Sequence, residues 1–212
     1  MGRYRAAFLA AVLFAAAFAS GASGARAQGS NVTPLNNTNV NGGTTVPFGG
    51  FGSPDKPDYV AQSAASNDAG EVLWYAQQHF DLDKPDDIGR TALIYAAINN
   101  NTMVAKILID HGASLDARDP IGNTALHMAA DRGNLDVLRQ LLDAKAPIDA
   151  QNHQGVTPLM MAANNGRADA VKLLLKYKAD TGKEDYTGRD AIGWAGNKTA
   201  VVQLLKNPAS VQ

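Results

Sequence analysis

The chain contains no cysteine. No disulfide can staple it, so any folded part is held by packing alone. A thiol nucleophile is excluded, as is the cysteine on which a bacterial lipoprotein carries its lipid. Charge of one sign is missing too, since 19 basic residues stand against 20 acidic ones. That balance gives no reason to expect nucleic acid or an anionic membrane as a partner. A bilayer span needs about 20 consecutive apolar residues, and the apolar stretch over residues 6–19 is 14 long. Gly-x-Ser-x-Gly elbows, phosphate loops and dinucleotide fingerprints are all absent from the sequence.

What is present at the N-terminus reads as an address. Arg3 and Arg5 precede the apolar run, and Ala25-Arg26-Ala27 places small residues where a signal peptidase cuts. Residues 1–27 are therefore expected to be a secretory signal peptide cleaved after Ala27. Removal of Arg3, Arg5 and Arg26 leaves 19 − 3 = 16 basic against 20 acidic residues, a mature charge of −4. The expected location is periplasmic or secreted, with no membrane insertion after cleavage. Residues 28–58 hold Asn31, Asn36, Asn37, Asn39 and Asn41, six glycines and four prolines, without apolar periodicity. Such a composition cannot offset its ordering entropy, so a disordered linker is expected there.

From Tyr59 onward the pattern changes. Gly89, Gly122, Gly155 and Gly188 recur every 33 residues, each inside a similar segment. Asp119-Pro120-Ile121-Gly122-Asn123-Thr124-Ala125-Leu126 is one, and Asn152-His153-Gln154-Gly155-Val156-Thr157-Pro158-Leu159 another. A fixed period of this length means stacked supersecondary units, each burying an apolar face on its neighbours. Thr124 reads as an N-cap, Gly133 as a break, and Leu135, Val137, Leu138, Leu141 and Leu142 as one apolar helical face. Proline after Thr157 strengthens the same start signal. The stretch from Gly122 to Ala130, with its Thr124-Ala125-Leu126-His127 core, closely resembles the signature of ankyrin repeats. The resemblance spans residues 59–207. It implies an all-α solenoid of stacked antiparallel helix pairs with β-hairpin-like finger loops.

The units are unequal. A helical N-cap is expected over 59–85, full repeats over 86–118, 119–151 and 152–184, and a C-cap over 185–207, all within a domain of residues 59–212. In the last unit Asp190 takes the N-cap place of threonine, and about three residues are missing between Trp194 and Val201. A shorter helix–helix turn is predicted there. Lys145 and Lys178 hold the place of Gly112, where a left-handed residue ends the second helix.

No constellation for chemistry assembles. His79, His111, His127 and His153 fall in a cap, a helix end, a helix start and a finger, and none forms a His-x-x-x-His pair. No metal, cofactor or catalytic group is expected, and the chain is not read as an enzyme. The resemblance gives Thr124 and His127 a turn-fixing role. Asp86, Asp119 and Asp185 share one phase, Asp116 and Asp149 another, as turn residues bonding the finger backbone.

In ankyrin proteins the finger tips and the exposed side of the first helices form the recognition surface. Carried over by phase, that surface comprises Asp87, Ile88, Arg90 and Asn99, then Arg118, Pro120, Ile121, Asn123, Asp131 and Arg132. The third unit adds His153, Gln154, Val156, Asn164 and Asn165, and the last Tyr186, Thr187 and Arg189. Ile88, Ile121, Val156 and Tyr186 form an apolar cluster rimmed by arginine, as in a protein-binding hot spot. The resemblance thus implies a monomeric adaptor or scaffold that binds a protein. An immunity or stabilising protein for one specific enzyme, and a structural element of the cell envelope, remain the alternatives.

Overall fold

The computed structural model describes residues 59–208. The signal peptide and linker expected over residues 1–58, and the last four residues of the domain, lie outside the described residues. Ten helices occur among the described residues: α1 (Tyr59–Ala65), α2 (Ala69–Gln77), α3 (Ala92–Asn99), α4 (Thr102–Asp110), α5 (Ala125–Arg132), α6 (Leu135–Asp143), α7 (Pro158–Asn164), α8 (Ala168–Lys176), α9 (Ala191–Ala195) and α10 (Thr199–Lys206). They pair within each unit and stack between units in two rows. The odd-numbered helices form an inner row and the even-numbered ones an outer row. Among the described residues there is no strand, which is the all-α solenoid expected.

Side-chain size separates the rows. The inner helices bury Ala92, Ala96, Ala97, Ala125, Ala129, Ala130, Ala162, Ala163, Ala191 and Ala195, which lets their backbones approach closely. The outer row supplies bulk through Val104, Leu108, Val137, Leu138, Leu141, Val171 and Leu174, all fully buried. One continuous apolar core runs between the rows from Val60 to Leu205. Truncating one of these leucines to alanine costs about 2–5 kcal/mol, because the surrounding helices cannot close the cavity.

Local chemistry sets the helix ends. Asp68 Oδ1 accepts from Glu71 N at 2.9 Å, Asn101 Oδ1 from Val104 N at 3.0 Å, and Asp190 Oδ1 from Gly193 N at 2.7 Å. Gly112 ends α4 at φ 85°, and Lys145 and Lys178 adopt φ 68° and 67° at the same phase. Both lysines therefore sit in the left-handed conformation anticipated from Gly112.

The C-terminal unit departs from expectation. The two N-caps of a unit are ten residues apart in Thr91/Asn101, Thr124/Asn134 and Thr157/Arg167, but eight apart in Asp190/Lys198. Two residues are missing, not three. The deficit falls on the helix, α9 having five residues where α3 has eight, and not on the turn. Gly193 in the middle of α9 and Gly196 at its C-cap weaken helix propagation, so the chain leaves it early.

Candidate functional site

Each finger is a tight turn organised by one side chain. In finger 1 (residues 85–91), Asp86 Oδ1 accepts from Ile88 N at 3.1 Å and Arg90 N at 2.8 Å. Asp119 does the same for Ile121 and Asn123 in finger 2 (residues 118–124). Asn152 serves Gln154 and Val156 in finger 3 (residues 151–157), and Asp185 serves Thr187 and Arg189 in finger 4 (residues 184–190). These are the turn roles expected of the acidic residues. Asp116 instead pairs with Arg118 at 3.1 Å. Asp149 accepts from Asp180 N at 2.9 Å, but the residue facing Asp116 in that phase is Pro147, which has no N–H to give.

Successive fingers overlap. A Cβ on Gly89 would lie 2.6 Å from the Pro120 ring, one on Gly122 2.7 Å from His153 N, and one on Gly155 2.7 Å from Tyr186 N. Glycine is thus required wherever the next finger lies across it. Backbone bonds reinforce the overlap, His153 N donating to Ile121 O at 3.1 Å and Tyr186 N to Gln154 O at 3.1 Å. Arg118 Nη1 reaches Gln151 O at 2.8 Å, and Gln151 Nε2 reaches Glu184 O at 3.0 Å.

His127 closes the joint between fingers 2 and 3. Its Nε2 lies 3.0 Å from Val156 O and must carry the proton, since a carbonyl only accepts. Its Nδ1 then receives Thr124 N at 3.2 Å and Thr124 Oγ1 at 2.9 Å. Burial, aided by the Arg118 charge and opposed by the Val156 bond, pushes the imidazole down to about 4. His127 is a neutral structural link, as the resemblance implies. The equivalent residue in the first full unit is Ile94, and there the buried Thr91 hydroxyl has no partner.

The structure sorts the expected surface residues into three groups. Ile88, Ile121 and Tyr186 stand at finger tips, 57%, 60% and 73% exposed, with Asp87, Pro120, His153 and Gln154 exposed beside them. At the far end of the inner helices Asn99, Asp131, Arg132, Asn164 and Asn165 line a polar edge. Three of these also tie repeats together. Asn99 Nδ2 donates to Ala65 O at 3.1 Å, Asn165 Nδ2 to Asp131 Oδ1 at 2.6 Å, and Asp131 O accepts from Arg167 Nε at 3.1 Å.

The third group requires correction. Asn123 and Val156 are each 1% exposed and do not belong to the surface. The residue after the finger glycine turns back toward the body. Asn123 there accepts Asn152 Nδ2 at 2.9 Å, and Val156 fills the core. Arg90 and Arg189 share that phase but are long enough to reach out. Arg189 lies 4.4 Å over the Trp194 ring, and Arg90 lies 6.0 Å from the Tyr95 ring.

Between the finger tips and the polar edge runs a file that the phase matching omits: Tyr95, Met128, Met161 and Trp194, one per unit and each partly buried against the core. On α5 the buried positions are 125–127, 129 and 130, which leaves Met128, Asp131 and Arg132 on one open face. The same spacing recurs on α3 and α7. Two members are anchored at their tips, Tyr95 Oη by Asp86 Oδ2 and Trp194 Nε1 by Asp185 Oδ2 at 2.9 Å. Burial alone would raise the Asp185 carboxyl. Bonds from the Thr187 hydroxyl, the Arg189 and Thr187 amides and the Trp194 indole hold it well below the usual carboxylate range. The signal for this file is an apolar residue interrupting the exposed side of each inner helix from α3 onward at constant phase. Finger tips, file and polar edge together make one surface of apolar contacts flanked by donors and acceptors, suited to holding a polypeptide. Among the described residues no group of three or more His, Cys, Asp or Glu could hold a metal ion.

A family model described as ankyrin repeats (3 copies) matches residues 61–152 and 139–212. The chain belongs to the ankyrin repeat family, whose members generally mediate protein–protein interaction. No curated protein matches it.

Proposed function

We propose that the chain is an exported adaptor that holds one protein partner on its finger tips and on the open face of its inner helices. The observation that carries this reading is the surface itself. Three exposed apolar finger residues and a file of four partly exposed apolar side chains lie on one side of the stack. Monomeric soluble proteins rarely leave such contiguous apolar area open without a use. Export is supported by the signal-like residues 1–27. Protection of one specific enzyme is the narrower form of the same reading.

The test compares capture by the wild-type chain with capture by Ile121→Asp and Tyr186→Ala, using periplasmic or secreted extract and mass spectrometry. Both substitutions sit on exposed tips and should leave the melting temperature within a few degrees. Loss of a specific protein from both variants supports the reading. Undiminished capture by folded variants would move the site elsewhere, and a mature protein that still carries residues 1–27 would remove the export signal.

A further inference from the structure

Four side chains, Tyr95, Met128, Met161 and Trp194, form a single file, one per unit. Packed helices lie about 8–10 Å apart, so the file offers four apolar contacts at roughly that interval. From Met128 onward its width is one side chain, whereas in the first full repeat the partly buried Ile98 stands beside Tyr95. The finger turns border it on one side and the polar edge, with Arg132 and Asn164 exposed, on the other.

We propose that this file receives a polyproline II segment of a partner protein, carrying one apolar side chain at every third residue. The inference rests on the binding reading above and specifies its ligand. A polyproline II chain has three residues per turn and rises about 3.1 Å per residue, so one of its edges repeats every ~9.3 Å. That keeps step with stacked helices. A β-strand repeats its facing side chains about every 6.6 Å and loses register within two units. An α-helix regains register every seventh residue, at about 10.5 Å, but it buries an apolar stripe some 100° wide. Over Met128 and Met161 the strip is one side chain wide between Asp131, Arg132 and Asn164 and the finger turns, which does not match such a stripe.

The borders match the ligand in a second way. A polyproline II backbone makes no internal hydrogen bonds, so its carbonyls and amides need partners from outside. The Asn164 side chain makes no hydrogen bond among the described residues, and the Arg132 guanidinium is held only in a loose ion pair with Asp131 at 3.7 Å. Both are placed to supply them. Tyr95 and Trp194 are already fixed at their tips by Asp86 and Asp185, so they lose little rotamer freedom on binding. Met128 and Met161 between them can adapt to the shape of the inserted side chain. Arg132 beside Asp131 and Arg189 beside Asp185 place both signs of charge on this face, which favours a ligand of low net charge.

The experiment is a fluorescence anisotropy titration of the mature chain with three labelled peptides. One consists of four Pro-Pro-Leu triplets, the second has the same composition with its leucines clustered, and the third is a helical peptide with leucine at every seventh position. The triplet peptide should saturate and bind at least tenfold more tightly than the other two. Met128→Asp, and independently Met161→Asp, should weaken it at least tenfold, with circular dichroism melts verifying that the variants fold. Equal affinity for triplet and clustered peptides, preference for the helical one, or no saturation by the triplet overturns the inference. If Met128→Asp still abolishes capture of the cellular partner in that event, the binding surface stands and only the ligand class is lost. If neither peptide binding nor capture responds to Met128→Asp, both readings fail together.

Discussion

Lys145, Lys178 and His127 carry conformations or charge states against their own preference. Lys145 and Lys178 occupy the left-handed region at φ 68° and 67°, where a side chain costs about 1 kcal/mol relative to glycine. Lys145→Gly and Lys178→Gly should therefore each raise the melting temperature by a few degrees in calorimetry, and the pair should be additive. His127 is held neutral, its value lowered from the ordinary 6.5 to about 4. The unfolded chain takes up its proton first as pH falls, so stability declines between pH 6.5 and about 4 and levels off below that. The expected loss is about 3 kcal/mol. Urea unfolding at pH 7 and at pH 4 measures it. A His127→Leu variant, less stable at pH 7 through its lost bridge to Val156, should lack this part of the slope.

At the scale of elements, the finger glycines differ by what lies across them. Gly122 and Gly188 have nearly the same φ, 84° and 81°, but an added Cβ on Gly122 meets the His153 backbone while one on Gly188 meets nothing within 4 Å. Gly188→Ala should cost only the backbone term of about 1 kcal/mol. Gly122→Ala should cost at least about 1 kcal/mol more, because overpacking forces the next finger to shift. Chemical denaturation of the two variants side by side gives the difference. Periodicity and cap chemistry made the helices legible in the sequence, since Thr124, Thr157 and Asp190 each start a helix where their side chains suggest. The site was legible only by half. Phase locates a finger residue but not its direction, so Asn123 and Val156 were assigned outward with Arg90 and Arg189, although size and polarity turn them inward. The file of Tyr95, Met128, Met161 and Trp194 escaped because each residue alone resembles ordinary core.

At the scale of the whole repeat array, the joints are not equally tied. Fingers 2 and 3 are joined by His153 N, Arg118, Asn152 and His127, and fingers 3 and 4 by Tyr186 N and Gln151. Between the tips of fingers 1 and 2 every counterpart is absent. Pro120 has no N–H, Pro85 replaces Arg118, and Ile94 replaces His127. Among the described residues no hydrogen bond links residues 85–91 to 118–124, and the bond from Ser114 N to Asp83 Oδ1 at 2.7 Å lies below both turns. Amides of residues 85–91 should then exchange with deuterium about tenfold faster than those of residues 118–124, the difference of one or two net hydrogen bonds. Ile94→His, which offers the Thr91 hydroxyl a partner and restores a bridge, should slow that exchange. Equal rates in the two fingers would mean that the Pro120 contact alone suffices.

The overlap of Pro120 on Gly89, His153 on Gly122 and Tyr186 on Gly155 also gives the stack a direction in time. Fingers 1 to 3 are each roofed by residues that leave the ribosome later, never by earlier ones. At about 5–20 residues per second, a newly made finger stays bare for a few seconds until its successor arrives. Shortening the chain from the C-terminus would strip the roof from a finger already built. Shortening it from the other end would leave every remaining roof in place.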